Sequence, residues 1–306
     1  MTTQTETETI LQAETREARP GAAPRRRAHR WWSDIAFGVW GVLVMLFLFL
    51  PIIVIVVHSF NTGRLLAVWD GFGFDAFGSI LVKPAIQNAV RVSLITALIA
   101  AIIATVLGTL AGIAMARHPG KWVWWFLGLL LLVSVTPEIV DAVALLPFMV
   151  FLGQDVGITM FNDGIVRLSV GSSLFATAVV SYIVRARLVG QDAQLEEASA
   201  DLYAKPFTTF RRVTLALAMP AVLAGFLLAF TLSLDNTIVA AFVQVSGTTP
   251  WPVYVLSALR TGLRPEIAAV STIMLVLTLV ALALVALVLK RAGDSATQIA
   301  RTMTGG

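Results

Sequence analysis

Six stretches of nearly unbroken apolar sequence alternate with short polar gaps along the 306 residues. They run from about Ile35 to Val57, Ala89 to Met115, Trp122 to Leu152, Ser173 to Val189, Thr214 to Val243 and Ile267 to Leu289. A hydrocarbon layer about 30 Å thick takes roughly 20 helical residues at ~1.5 Å each, so each stretch is a candidate span. The pattern predicts an all-α integral membrane protein with six transmembrane helices. Pro51 is expected to kink the first. Thr136-Pro137-Glu138 interrupts the third, with Thr136 as N-cap and Glu138 as a first-turn acid of the restarted helix. The fifth reads as continuous, which places Asp235 about six turns deep. Between the last two spans, Pro250-Trp251-Pro252 and the amphipathic stretch Val253 to Arg260 predict a short helix lying at the membrane surface. Arg264-Pro265-Glu266 then opens the sixth span, with proline at its first helical position.

Charge orients these spans. Six crossings put both ends on one side. With that side cytoplasmic, 16 of the 22 Lys and Arg residues fall in cytoplasmic segments and 6 on the opposite face. Both termini are therefore expected inside. Met1 to Pro20 is polar and acidic, and the first apolar run is too long for a cleavable signal, so it is read as a retained anchor. Residues 1–31 and 292–306 lack helical periodicity and are expected to be disordered cytoplasmic tails around a transmembrane domain, residues 32–291. Arg25-Arg26-Arg27, Arg30 and Trp31-Trp32, like Lys121 with Trp122, Trp124 and Trp125, read as anchors in membrane lipid headgroups. His58 to Asn88, Gly153 to Ser172 and Ser246 to Arg264 form the outer segments.

Composition narrows the chemistry. Hydrophobic residues are 58% and charged residues 13%, so a soluble core is excluded. The net charge of +4 is spread through the gaps and forms no nucleic-acid stripe. Cysteine is absent, and His29, His58 and His118 are far apart, so no metal-ligand set or thiol nucleophile is expected. The sequence contains no phosphate-cradling G-x-x-x-x-G-K-[ST], no H-E-x-x-H and no G-x-S-x-G. No catalytic residue and no cofactor is assigned to this chain.

One gap has a character of its own. Glu196-Glu197-Ala198-Ser199-Ala200-Asp201-Leu202-Tyr203-Ala204 is acidic and alanine-rich, and Lys205-Pro206 and Arg211-Arg212 follow. Small side chains allow close approach of a partner, and Glu196, Glu197 and Asp201 can pair with basic groups across an interface. From Glu197 the order Glu197-Ala198-Ser199, Ala204, Phe210, Val213, Leu215 and Pro220 resembles the EAA loop of ABC-importer membrane subunits. Gly225, Phe230 to Asn236, Pro265-Glu266-Ile267, Gly108 to Ala111 and Pro137 to Val140 resemble the spermidine/putrescine-type permeases. Four positions depart from these patterns. Ser199 replaces alanine, Tyr203 stands where glycine would suit a left-handed turn, and Ala216 replaces a proline, so entry into the fifth span is expected to be more continuously helical. Asn236 replaces an acid common in the polyamine-type group.

The resemblance implies a MetI-like permease fold with a cytoplasmic coupling loop, residues 191–213, in which Glu196, Glu197, Ala198, Ser199, Asp201, Tyr203 and Ala204 meet an ATPase. It also implies the partners. These are a second, different permease subunit, two cytosolic ATPases that bind the ATP and Mg, and an extracytoplasmic substrate-binding protein, all at a bacterial cytoplasmic membrane. Asp235, Asn236, Ser233, Glu138 and Asp141 are the candidate substrate-path residues, because intramembrane carboxylates attract cations. First-turn helix stabilisation is the plain alternative for Glu138, and pairing with Asn236 or a neighbouring span for Asp235. The expected function is ATP-driven import, of polyamines by resemblance. A proton-coupled secondary transporter, an importer of iron, thiamine, an anion or a sugar, and a scaffold without transport are the alternatives.

Overall fold

The computed structural model describes residues 27–66, 68–191, 194–260 and 262–291. The expectations for the two tails up to residue 26 and from 292 lie outside them. The chain divides into two units, one ending at Val54 and the other beginning at Ile55. The first holds most of α1 (Arg27–His58), which runs through Pro51 as one helix.

The second unit is built on α3 (Pro84–Arg117), α6 (Gly164–Val189) and α9 (Leu215–Leu234), with α12 (Pro265–Arg291) packed on α9. Between these lie α2 (Asp75–Ile80), α4 (Lys121–Val135), α5 (Glu138–Val150), α7 (Gln194–Asp201), α8 (Pro206–Thr209), α10 (Ile238–Val243) and α11 (Trp251–Ala258). Lipid gives apolar helices no hydrophobic reason to meet, so close packing of small residues must hold them together. The α3–α6 seam is made that way. Ala97, Ala100, Ala101 and Ala104 are fully buried, and Gly108 and Gly112 continue their face. A Cβ on Gly108 would stand 2.7 Å from Val180 Cβ, and one on Gly112 would stand 2.9 Å from the Ser181 carbonyl oxygen. Both helices can touch only because those atoms are missing.

Among the described residues, five helices are long and apolar enough to cross a membrane: Ile35–His58, Pro84–Arg117, Gly164–Val189, Pro206–Leu234 and Pro265–Val288. The sixth candidate is a pair, Lys121–Val135 and Glu138–Asp155, bent by 101°. The bend follows from its sequence. Pro137 excludes α geometry at the residue before it, and Thr136 is extended at φ −60°, ψ 131°. Thr136 does not cap α5 as expected; its hydroxyl donates back to the Leu132 carbonyl at 2.7 Å and closes α4 instead.

Two further expectations are corrected. The fourth span begins at Gly164, because Asp163 Oδ1 accepts from the amides of Ile165 and Val166 and starts the helix before the apolar run does. The fifth stops at Leu234 and resumes only at Ile238. The short helix α11 forms with two faces, Leu256 and Ser257 being exposed. Trp251 and Val253 are buried, and the Trp251 amide donates to Ser93 Oγ of α3 at 2.7 Å. The continuous entry into the fifth span is as expected without proline at 216: helix runs unbroken from Pro206 through a widened turn at Phe210–Thr214 to Leu234.

Candidate functional site

Both helix breaks open onto the same space. At the end of α9, Asp235, Asn236 and Thr237 are residues whose side chains compete with backbone hydrogen bonds, and they interrupt the helix. Thr237 Oγ1 donates to the Asp235 carbonyl at 3.2 Å, and Asn236 Oδ1 accepts the Val239 amide at 3.1 Å, capping the restart. The Asp235 carboxylate is exposed and makes no ion pair among the described residues. A cavity of about 820 Å³ lies beside it, lined by Asp235, Asn236, Glu138, Thr231, Ser271 and Trp251 among others. A smaller one of about 230 Å³ is lined by Glu138, Asp141, Asn236, Ser134 and Thr136. Irregular backbone at membrane depth is tolerated where it borders such a cavity, and freed carbonyls and carboxylates there are apt ligands for a cation. Glu138 and Asn236 line both spaces, Asp235 only the larger and Asp141 only the smaller. Ser233 lines neither; it is buried, with its hydroxyl unpartnered among the described residues.

The hairpin α7–α8 lies at the opposite end of α9, a helix of 20 residues and so roughly 30 Å. Its inner and outer faces are distinct. Glu197, Ala198, Ala200, Asp201, Leu202 and Tyr203 are exposed, whereas Glu196 and Ser199, one helical turn apart, point inward. Glu196 Oε1 accepts from Arg117 Nε and from Thr214 Oγ1, each at 2.9 Å. Ser199 Oγ shares a hydrogen bond of 2.9 Å with Thr209 Oγ1 across the hairpin, which an alanine there could not make. The turn is a complete left-handed cap: the Ala204 amide donates to Ser199 O at 3.1 Å and the Tyr203 amide to Ala200 O at 2.8 Å. Tyr203 carries it at φ 57°, the only positive φ of a non-glycine among the described residues. The residue is 96% exposed, so its side chain has little packing among the described residues to offset the strain.

The sequence of the second unit matches a known family. The model for the binding-protein-dependent transport system inner membrane component covers residues 104–297. The chain belongs to this family. The putrescine transport system permease protein PotI of Escherichia coli (strain K12) is 35% identical over 242 residues, 77% of this chain and 85% of its own length. The spermidine/putrescine transport system permease protein PotC of Haemophilus influenzae is 35% identical over 249 residues, 81% of this chain and 94% of its own. A bacterial ABC transporter involved in the import of the acidic polysaccharide alginate shares the fold. Its TM-score is 0.66 at 16% identity, over 86% of this chain and 96% of that one.

In this inner-membrane component the sequence pointed to the carboxylates and the hairpin but missed what surrounds them. Thr231, Thr237 and Ser271 of the larger cavity belong to spans that read only as apolar, and Trp251 to a segment that reads as a surface helix. In the sequence Arg117 reads as a topology charge, whereas its pairing with Glu196 joins residues 79 apart. The G-x-x-x-G spacing of Gly108 and Gly112 was the one legible signal for the α3–α6 seam.

Proposed function

We propose that this chain is a permease subunit of an ATP-driven, binding-protein-dependent importer that carries polyamines across the bacterial cytoplasmic membrane. The observation that carries the reading is the pairing of two features on one helix. At one end of α9 an unpaired Asp235 and Glu138 face a cavity of about 820 Å³. At the other end an exposed acidic hairpin is ready for a partner. A polyamine is a flexible polycation, and carboxylates at broken helices replace part of its hydration. PotI and PotC, named for putrescine and spermidine, support that class of substrate. In this reading a second, different permease completes the path and two cytosolic ATPases hold the ATP and Mg. A binding protein delivers substrate from outside, and the hairpin faces the cytosol.

Two unit charges ~4 Å apart attract by ~4 kcal/mol at an effective dielectric of ~20, and desolvation of both offsets much of it. Asp235→Asn keeps size and hydrogen bonding but removes the charge. It is expected to slow radiolabelled putrescine uptake about tenfold, the equivalent of ~1.4 kcal/mol, at matched membrane levels. Uptake equal to wild type takes Asp235 off the path. Uptake of an anion or a neutral sugar by the wild type, with none of putrescine, overturns the cationic reading.

A further inference from the structure

We infer that Glu196 is the strut of the hairpin, not part of its partner-facing surface. Its carboxylate clamps the first turn of α7 to the ends of α3, α6 and α9, so that the four move as one body. This rests on the docking role proposed above and assigns the two adjacent acids different work. Glu197 is exposed and without a described partner. Glu196 Oε1 is held by two donors from two other helical segments, Arg117 at the end of α3 and Thr214 at the entry to α9, each at 2.9 Å. Arg117 Nη1 donates in turn to the Leu188 carbonyl at 3.3 Å, one of the last carbonyls of α6, which also accepts the Gln191 amide at 3.1 Å. Arg117 also stands at the negative end of α3, where a cation is stabilised. The pair is largely sheltered, its side chains 11% and 22% exposed.

A helix of eight residues passes on a displacement only as far as its side-chain contacts are stiff. The Ser199–Thr209 bond ties α7 to α8 alone. Glu196 reaches α3, where Arg117 lies 79 residues away in sequence and the seam with α6 is carried. A push on the hairpin therefore enters α9 directly, because α8 is continuous with it, and reaches α3 and α6 through this carboxylate. Removing its charge leaves the sheltered Arg117 guanidinium without its counter-charge, while the exposed face of α7 is unaltered.

The test uses the complete complex in lipid vesicles, with its ATPase subunits and loaded binding protein. Glu196→Gln is expected to leave the affinity of the ATPase subunits for the membrane subunits as in wild type. Stimulation of hydrolysis by binding protein should fall by a factor between about 2 and about 30, the span of known long-range couplings. Glu197→Gln is expected to do the reverse and weaken ATPase affinity. Exchanging the pair, Arg117→Glu with Glu196→Arg, should restore most of the stimulation. If the exchanged pair does not accumulate in the membrane, Arg117→Cys with Glu196→Cys replaces it, in a chain with no cysteine of its own. A short bis-thiol cross-linker should then recover the stimulation. Weakened ATPase affinity in Glu196→Gln puts Glu196 on the docking surface and overturns the strut. So does unaltered stimulation, or a restored tie that recovers nothing. Failure of the wild-type chain to bind any ATPase subunit sinks the docking role itself, a separate result.

Discussion

Tyr203 occupies a backbone conformation that L-residues avoid, with its ring in solvent. Holding a non-glycine residue there costs about 1–3 kcal/mol, and glycine gives back part of that gain through a more flexible unfolded chain. Tyr203→Gly is therefore expected to stabilise the hairpin by about 1 kcal/mol, read as a higher melting temperature of the purified subunit in detergent. Tyr203→Ala keeps the strain and should show no such rise. An unchanged or lower melting temperature for the glycine variant would mean that the ring stabilises the subunit itself. With Tyr203 almost fully exposed among the described residues, a function of its ring is sought with a partner. A glycine variant that melts higher yet binds its ATPase more weakly would assign it that role. Ser199 shows the opposite case: a departure from the family pattern that the fold uses, through its bond to Thr209.

At the scale of elements, the apolar runs specify which segments are helical but not where each begins or breaks. The fourth helix starts on Asp163, a polar cap invisible to hydropathy, and the fifth ends where Asp235, Asn236 and Thr237 offer the backbone other partners. That break was legible in residue type, yet the apolar residues on both sides masked it. The tyrosine turn and the proline break at 137 were legible because each rests on backbone sterics within a few residues. The strut and the cavity lining were not, since they depend on which helices meet. The α3–α6 seam can be tested at this level. Gly112→Leu would drive side-chain atoms into the Ser181 carbonyl oxygen, already 2.9 Å from where a Cβ would stand. It is expected to cost roughly 1–3 kcal/mol and to lower the amount of subunit in the membrane. Gly128→Leu, where a Cβ meets nothing within 4 Å, is the matched control and should accumulate normally. Equal levels of both variants would show that α3 and α6 are not held by close packing.

At the scale of the whole molecule, the bent pair decides the topology. If Lys121–Val135 and Glu138–Asp155 together make one span, the crossings number six and both ends share a side. If the pair instead enters and leaves by the same face, the crossings number five and the ends lie on opposite sides. The distribution of basic residues, 16 against 6, was counted for six crossings with the ends inside, and it is strongly one-sided only in that arrangement. A re-entrant pair would reverse the side of every segment after it and move the Arg185, Arg187, Lys205, Arg211 and Arg212 group outside. The absence of native cysteine makes the choice measurable with single substitutions. A membrane-impermeant maleimide applied to cells with a permeable outer envelope should label Ser246→Cys, in the exposed loop after α10. Thr7→Cys and Thr302→Cys should both stay unlabelled until the cytoplasmic membrane is opened. Labelling of one tail but not the other would make the 101° bend a re-entrant loop. Labelling of both tails with Ser246→Cys protected would invert the molecule, and with it the proposed cytosolic face of the hairpin.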